Sequence, residues 1–151
     1  MDFYDAKLIA NQPNISTVTG SKTDDEKPLS PVRVFMDSID MKVTGRGKEQ
    51  LCSVNRPYPV VPGKHVLLVV ISAGEPFASS RVGSGQIQID VPSNARLTIK
   101  GEALSSRSGT IWVEDAKGNI VSDRVDVLLK DSPSKGMPAG FAVIESSCWL
   151  P

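Results

Sequence analysis

The sequence predicts an all-β protein: an antiparallel β-sandwich, immunoglobulin-like or related, with about seven to nine short strands. Three observations carry that prediction. Apolar residues recur at every second position along several short segments, the period of a half-buried strand. Turn-forming residues separate those segments at short intervals, too short for helical crossovers between parallel strands. No window of eleven or more residues carries a good helical stripe, Met1 to Ala10 coming nearest.

Residues 1 to 31 read as a flexible leader or tether, because Asn11 to Pro28 is rich in polar and turn residues. Ile15, Val18 and Leu29 could add one short edge strand. Asn14-Ile-Ser16 fits a glycosylation acceptor, a triplet that is common by chance. The sandwich is expected over 32–130. Val32 to Asp37 alternates with Val32, Val34 and Met36 on one face, and Ser38 to Thr44 repeats the pattern with Ile39, Met41 and Val43. Pro62-Gly63 is a strong turn signal. The six apolar residues Val66 to Ile71 then predict a central strand covered on both faces. Ser72 to Gly85 reads as a loop, with Gly83-Ser-Gly85 a turn. Gln86 to Val91 points Ile87, Ile89 and Val91 inward, Pro92-Ser-Asn turns, and Arg96 to Lys100 alternates again. The clearest hairpin joins Thr110–Glu114 to Ile120–Leu129 across Lys117-Gly118-Asn119, residues that tolerate positive φ. Residues 131–151 read as a Pro/Gly linker followed by a last strand, Phe141 to Glu145, packed on the same domain.

Charge and composition narrow the function classes. Lys plus Arg equals 17 and Asp plus Glu equals 17, so the formal net charge is zero, which argues against nucleic acid as a partner. No stretch approaches the ~18–20 apolar residues of a membrane span. The start lacks a signal-peptide pattern, although export of a longer precursor is compatible with it. Cys52 and Cys148 are candidates for one disulfide, which would imply an oxidising compartment, or for two unpaired thiols. Neither has metal-ligand spacing to the other or to the single histidine, so no metal and no cofactor is expected.

Catalytic sets are also missing from the pattern. A nucleophile triad needs a histidine as proton shuttle, and His65 sits between a turn and a buried strand. Its expected role is structural, capping the strand start or bonding a neighbouring backbone group, with ligand contact as the alternative. The carboxylate pairs Glu114/Asp115 and Asp123/Asp126 point to opposite strand faces and do not converge on a substrate. Asp115 and Asn119 fit turn chemistry better than a calcium loop. Trp112 stands between Ile111 and Val113, so either the indole or its two neighbours face the core. An outward Trp112 suits sugar stacking or a protein contact, and an inward one anchors the core. Tyr58 and Trp149 are candidates to extend an exposed aromatic surface.

The alternating strand Val32 to Asp37, a second strand ending at Thr44-Gly45, and Val61-Pro-Gly-Lys-His-Val-Leu-Leu-Val69 together resemble small β domains of bacterial cell-envelope lipoproteins, including PEGA-type modules. In those a proline-glycine-x-histidine turn precedes a strand, and the hairpin before it carries a Val-Asp-Gly signature. Here Met36-Asp37-Ser38 replaces Asp-Gly, and the connecting segment is longer. The resemblance covers residues 32 to 71. It implies a non-enzymatic structural or protein-binding module, periplasmic or outer-membrane associated, which a lipid anchor could hold to the membrane. The expected partner is another envelope protein or a glycan. Two alternatives stand beside it: a carbohydrate-binding module, and a phage or viral structural protein that assembles as an oligomer.

Overall fold

The computed structural model describes residues 3–23, 31–44, 54, 56–74 and 81–131, and these form an all-β fold of two sheets with one short helix. The first sheet has the order β10-β9-β8-β1-β5, built from β1 (Ser16–Thr19), β5 (Tyr58–Val60), β8 (Arg96–Ala103), β9 (Ser108–Glu114) and β10 (Val125–Leu128). The second has the order β11-β7-β6-β3-β2, built from β2 (Ser21–Thr23), β3 (Val32–Ile39), β6 (Gly63–Ala73), β7 (Arg81–Val91) and β11 (Lys130–Asp131), with β4 (Lys42–Val43) beside β3. The pairings are antiparallel except for β1 with β8, which is parallel. One core lies between the sheets. Val34, Met36, Leu67, Val69, Ile71 and Ile87 from one sheet meet Val18, Val60, Ile99, Ile111 and Val113 from the other, all at most 1% exposed.

The sheets are not independent layers, because two bent strands belong to both. The chain runs from β1 in the first sheet through Gly20 into β2 in the second. It runs likewise from β10 through Leu129 into β11. Each crossing turns a corner between the sheets. At the second corner Leu129 plugs the core, its N–H donates to Arg107 O (2.9 Å), and its carbonyl accepts from Arg81 Nη2 (3.0 Å). Arg81 also donates through Nε to Ser106 O (2.6 Å) and pairs with Asp131. At the first corner the groups are smaller and polar. Ser16 Oγ donates to Pro92 O and accepts from Ala95 N (2.9 Å), and Ser21 Oγ donates to Ile99 O (2.6 Å).

Residues 16–23 are therefore not a tether. Val18 is fully buried, and β1 lies inside its sheet between β8 and β5. The polarity that suggested a leader is spent on buried hydrogen bonds, with Ser16 fully buried. The hydroxyl of the Asn14-Ile-Ser16 triplet is thus committed to the fold. The helix α1 (Ala6–Ala10) is capped by Asp5, whose Oδ1 accepts from Leu8 N (3.1 Å).

Several strands fall where the period-two pattern puts them. Leu67, Val69 and Ile71 of β6 are fully buried, and β6 is central, pairing residue for residue with β7 from Gly63↔Val91 to Ala73↔Arg81. Its outward residues Val66, Leu68 and Val70 are only half-buried, so the strand is covered fully on one face and partly on the other. Two expectations are corrected here. Val32 to Thr44 is not two similar strands. A bulge between Met36 and Ser38 keeps Ile39 in the core, and Asp40 and Met41, at φ 51° and 67°, form a tight turn that leaves Met41 88% exposed. Gly83-Ser-Gly85 is not a turn but part of β7. A Cβ at Gly83 would stand 2.2 Å from Leu128 O and 2.5 Å from Val127 Cγ1, so the missing side chain is what lets β10 lie against β7. The expected strand Phe141 to Glu145 lies outside the described residues.

Candidate functional site

The most structured polar site lies where the β3–β4 turn meets the start of β6. Pro62-Gly63 turns the chain, and Gly63 takes φ 121° as the first residue of β6. His65 then points toward the core end of β6 and is 8% exposed. Its Nδ1 lies 2.6 Å from Asp40 Oδ2, and its Nε2 lies 2.7 Å from Val61 O. Asp40 closes the arrangement, its Oδ1 accepting from Val66 N (2.8 Å) while its own N–H donates to Val66 O (2.8 Å). An open cleft of about 300 Å³ lies over this cluster, lined by Asp40, Lys64, His65, Val66, Gln88, Ile89 and Asp90. Lys64 and Asp90 are directly opposed across β6 and β7.

His65 thus bonds a neighbouring backbone carbonyl at the start of the strand. Both ring nitrogens meet protein oxygens. The acidic partner is Asp40, not the Asp37 of the strand that carried the family resemblance. Nothing in the sequence singled out Asp40. It lacks the Gly or Asn neighbour that marks a tight two-residue turn, and its link to His65 spans 25 residues. Tyr4 lies close by. Its hydroxyl donates to Pro59 O (2.5 Å), and its phenol is pushed up to about 12, first by burial and second by the Asp40 carboxylate.

Trp112 lies on the outer face of the first sheet, while Ile111 and Val113 point into the core. It is nevertheless only 9% exposed. The Arg124 guanidinium stacks 4.2 Å from the ring centroid, and the indole Nε1 donates to Glu114 Oε2 (2.8 Å). The residue is thus neither a core anchor nor a bare aromatic platform. Its polar edge is satisfied and one ring face is covered by a cation. Tyr58 does not extend an aromatic surface. It is 5% exposed within the core, because β5 packs it inward beside Val60. Trp149, Cys52 and Cys148 lie outside the described residues.

At the β9–β10 tip, Asp115 Oδ1 accepts from the backbone of Lys117 and of Asn119 (2.9 Å each). Those bonds, the Asn119 backbone bond foremost, hold the carboxyl below its usual value, and turn chemistry accounts for both residues. Among the described residues, no group of three or more His, Cys, Asp or Glu side chains gathers to hold a metal ion, and no helix is long and apolar enough to cross a membrane. What the arrangement offers chemically is contact: a polar cleft with an opposed cation and anion, beside the half-buried apolar row Val66, Leu68 and Val70. The chain matches no protein-family model, no curated protein and no solved structure.

Proposed function

We propose that this chain is a non-enzymatic structural or protein-binding module of the bacterial cell envelope, an antiparallel β-sandwich of immunoglobulin-like or related type. The reading includes export to the periplasm or outer membrane, with a lipid anchor as one means of attachment. The observation that carries it is the outward face of β6 and β7. There the apolar row Val66, Leu68 and Val70 stays partly open beside the cleft at Lys64 and Asp90. Partly exposed apolar rows rimmed by polar groups are what protein contacts use. The resemblance of residues 32 to 71 to envelope modules supports the compartment, and the engagement of both His65 nitrogens supports a non-catalytic role.

The test pairs wild type with a Leu68→Lys, Val70→Lys double variant. Both are used to capture proteins from an envelope extract of the bacterium that encodes the chain, and the natural gene product is fractionated and its N-terminus sequenced. A partner held by wild type and lost by an equally stable variant, with the natural product in the envelope, is expected. Identical capture by both, or a cytoplasmic product, contradicts the reading. A carbohydrate-binding reading is favoured less, because Arg124 lies over the Trp112 ring that would stack on a sugar.

A further inference from the structure

We propose that His65 and Asp40 form a protonation-gated latch between the β3–β4 turn and the entry to β6. The inference rests on hydrogen-bond bookkeeping at His65 and does not need the functional reading above. A carbonyl oxygen can only accept, so the contact of Nε2 with Val61 O requires a proton on Nε2. The 2.6 Å contact of Nδ1 with Asp40 Oδ2 also requires a proton between the two atoms. Asp40 has the pattern of an ionised carboxylate. Its other oxygen accepts from Val66 N–H, and the side chain is 42% exposed, so water helps to hold its charge. The shared proton is therefore assigned to Nδ1, and the ring that fits this pocket is the imidazolium.

Removing one proton turns one of the two contacts into a meeting of lone pairs. Either Asp40 or Val61 must then let go. Asp40 is the more exposed partner and also carries two backbone links to Val66, so its withdrawal loosens the β3–β4 turn from β6. Among the described residues, the charged and titratable groups facing the latch come from four elements. Asp40 in the turn and Asp90 on β7 are acidic, and Lys64 on β6 is basic. Tyr4, from the segment before α1, stays neutral until far above neutral pH. The cleft sits directly over the latch, so its opening changes the shape of that surface.

His65 is the only histidine in the chain, so ¹⁵N-histidine labelling gives one pair of ring-nitrogen signals. The experiment follows those signals, and amide-exchange protection at Val66 and Asp40, between about pH 5 and pH 8, the range in which imidazoles ordinarily change charge. The expected result is two protonated nitrogens wherever Val66 is fully protected and one wherever that protection falls. About fivefold loss of Val66 protection should follow the same curve, the worth of one ordinary hydrogen bond, while Ile99 in the core stays unchanged. Asp40→Asn, whose amide can donate to a neutral Nδ1, should abolish the pH dependence. Full Val66 protection on a ring with one proton, or Val66 protection that ignores the ring's proton count, would each overturn the latch. So would an Asp40→Asn protein that keeps the full dependence. If that variant does not fold, the wild-type curves decide alone.

Discussion

The two corners where the chain passes from one sheet to the other do the same geometric work with different chemistry. The C-terminal corner, β10 to β11, is held by shape. Leu129 plugs the core, Val127 and Leu128 lie in the space left by Gly83, and Arg81 clamps the outgoing backbone. The N-terminal corner, β1 to β2, is held by one buried apolar side chain, Val18, and by hydroxyls that satisfy neighbouring backbone groups. The difference teaches that a strand need not look amphipathic to be integral. A buried serine that answers a donor or acceptor otherwise orphaned does structural work comparable to a small apolar residue.

Breaking the shape-held corner should have the largest effect. Gly83→Val drives a branched side chain against Leu128 O, a backbone atom that cannot swing aside. The expected cost is about 3 kcal/mol, the upper end for overpacking, read as a lower urea midpoint. Leu129→Ala, at a 3% exposed position, should cost about 2–3 kcal/mol, the lower end for such truncations because the corner can partly collapse. Val18→Ala on the opposite corner should follow at about 2 kcal/mol. If Val18→Ala is silent while Leu129→Ala is not, the N-terminal corner is ornamental and the comparison fails.

The polar corner can be probed through its hydroxyls. Ser16→Ala leaves the Ala95 N–H without its partner in a buried place and should cost about 1–2 kcal/mol. Ser21→Ala removes one donor from Ile99 O and should cost about 1 kcal/mol. The smallest expected effect is at alkaline pH. The Tyr4 phenol is raised from 10.0 to about 12 in the folded state, so its contribution is complete below pH 10 and is lost as pH rises between those values. Tyr4→Phe should remove that part of the alkaline decline in Tm and leave the rest.

Much of the fold was legible in the sequence, and the reasons are specific. The strands β7 and β8 carry strict alternation and β6 an unbroken apolar run, and the residues expected inward on β7 and β8 are buried; β9 left its inward face open between Trp112 and the pair Ile111 and Val113. Asp115 and Gly118 mark the β9–β10 tip by residues whose turn preference is strong. What escaped was set by contacts distant in sequence. Ser16 and Ser21 are buried because groups 76 and 78 residues away need partners. Asp40-Met41 turns without glycine because Asp40 is secured by His65 and Val66. Gly83 looked like a turn residue, yet it is needed for close approach within a strand. Of the candidate contact residues, Trp112 was left as a choice between faces, and its indole lies on the outer one. The Arg124 cover on that face belongs to an irregular segment after the hairpin tip, which alternation does not reach.

Native-state amide exchange along residues 16–23 and 125–131 tests most directly whether both corners belong to one closed fold. Exchange at Thr17, whose N–H donates to Ala95 O, should be as slow as at Leu129, whose N–H donates to Arg107 O, and both should respond alike to added urea. Free exchange at 16–23, with protection retained at 125–131, would contradict the account and return the N-terminal segment to the status of a tether.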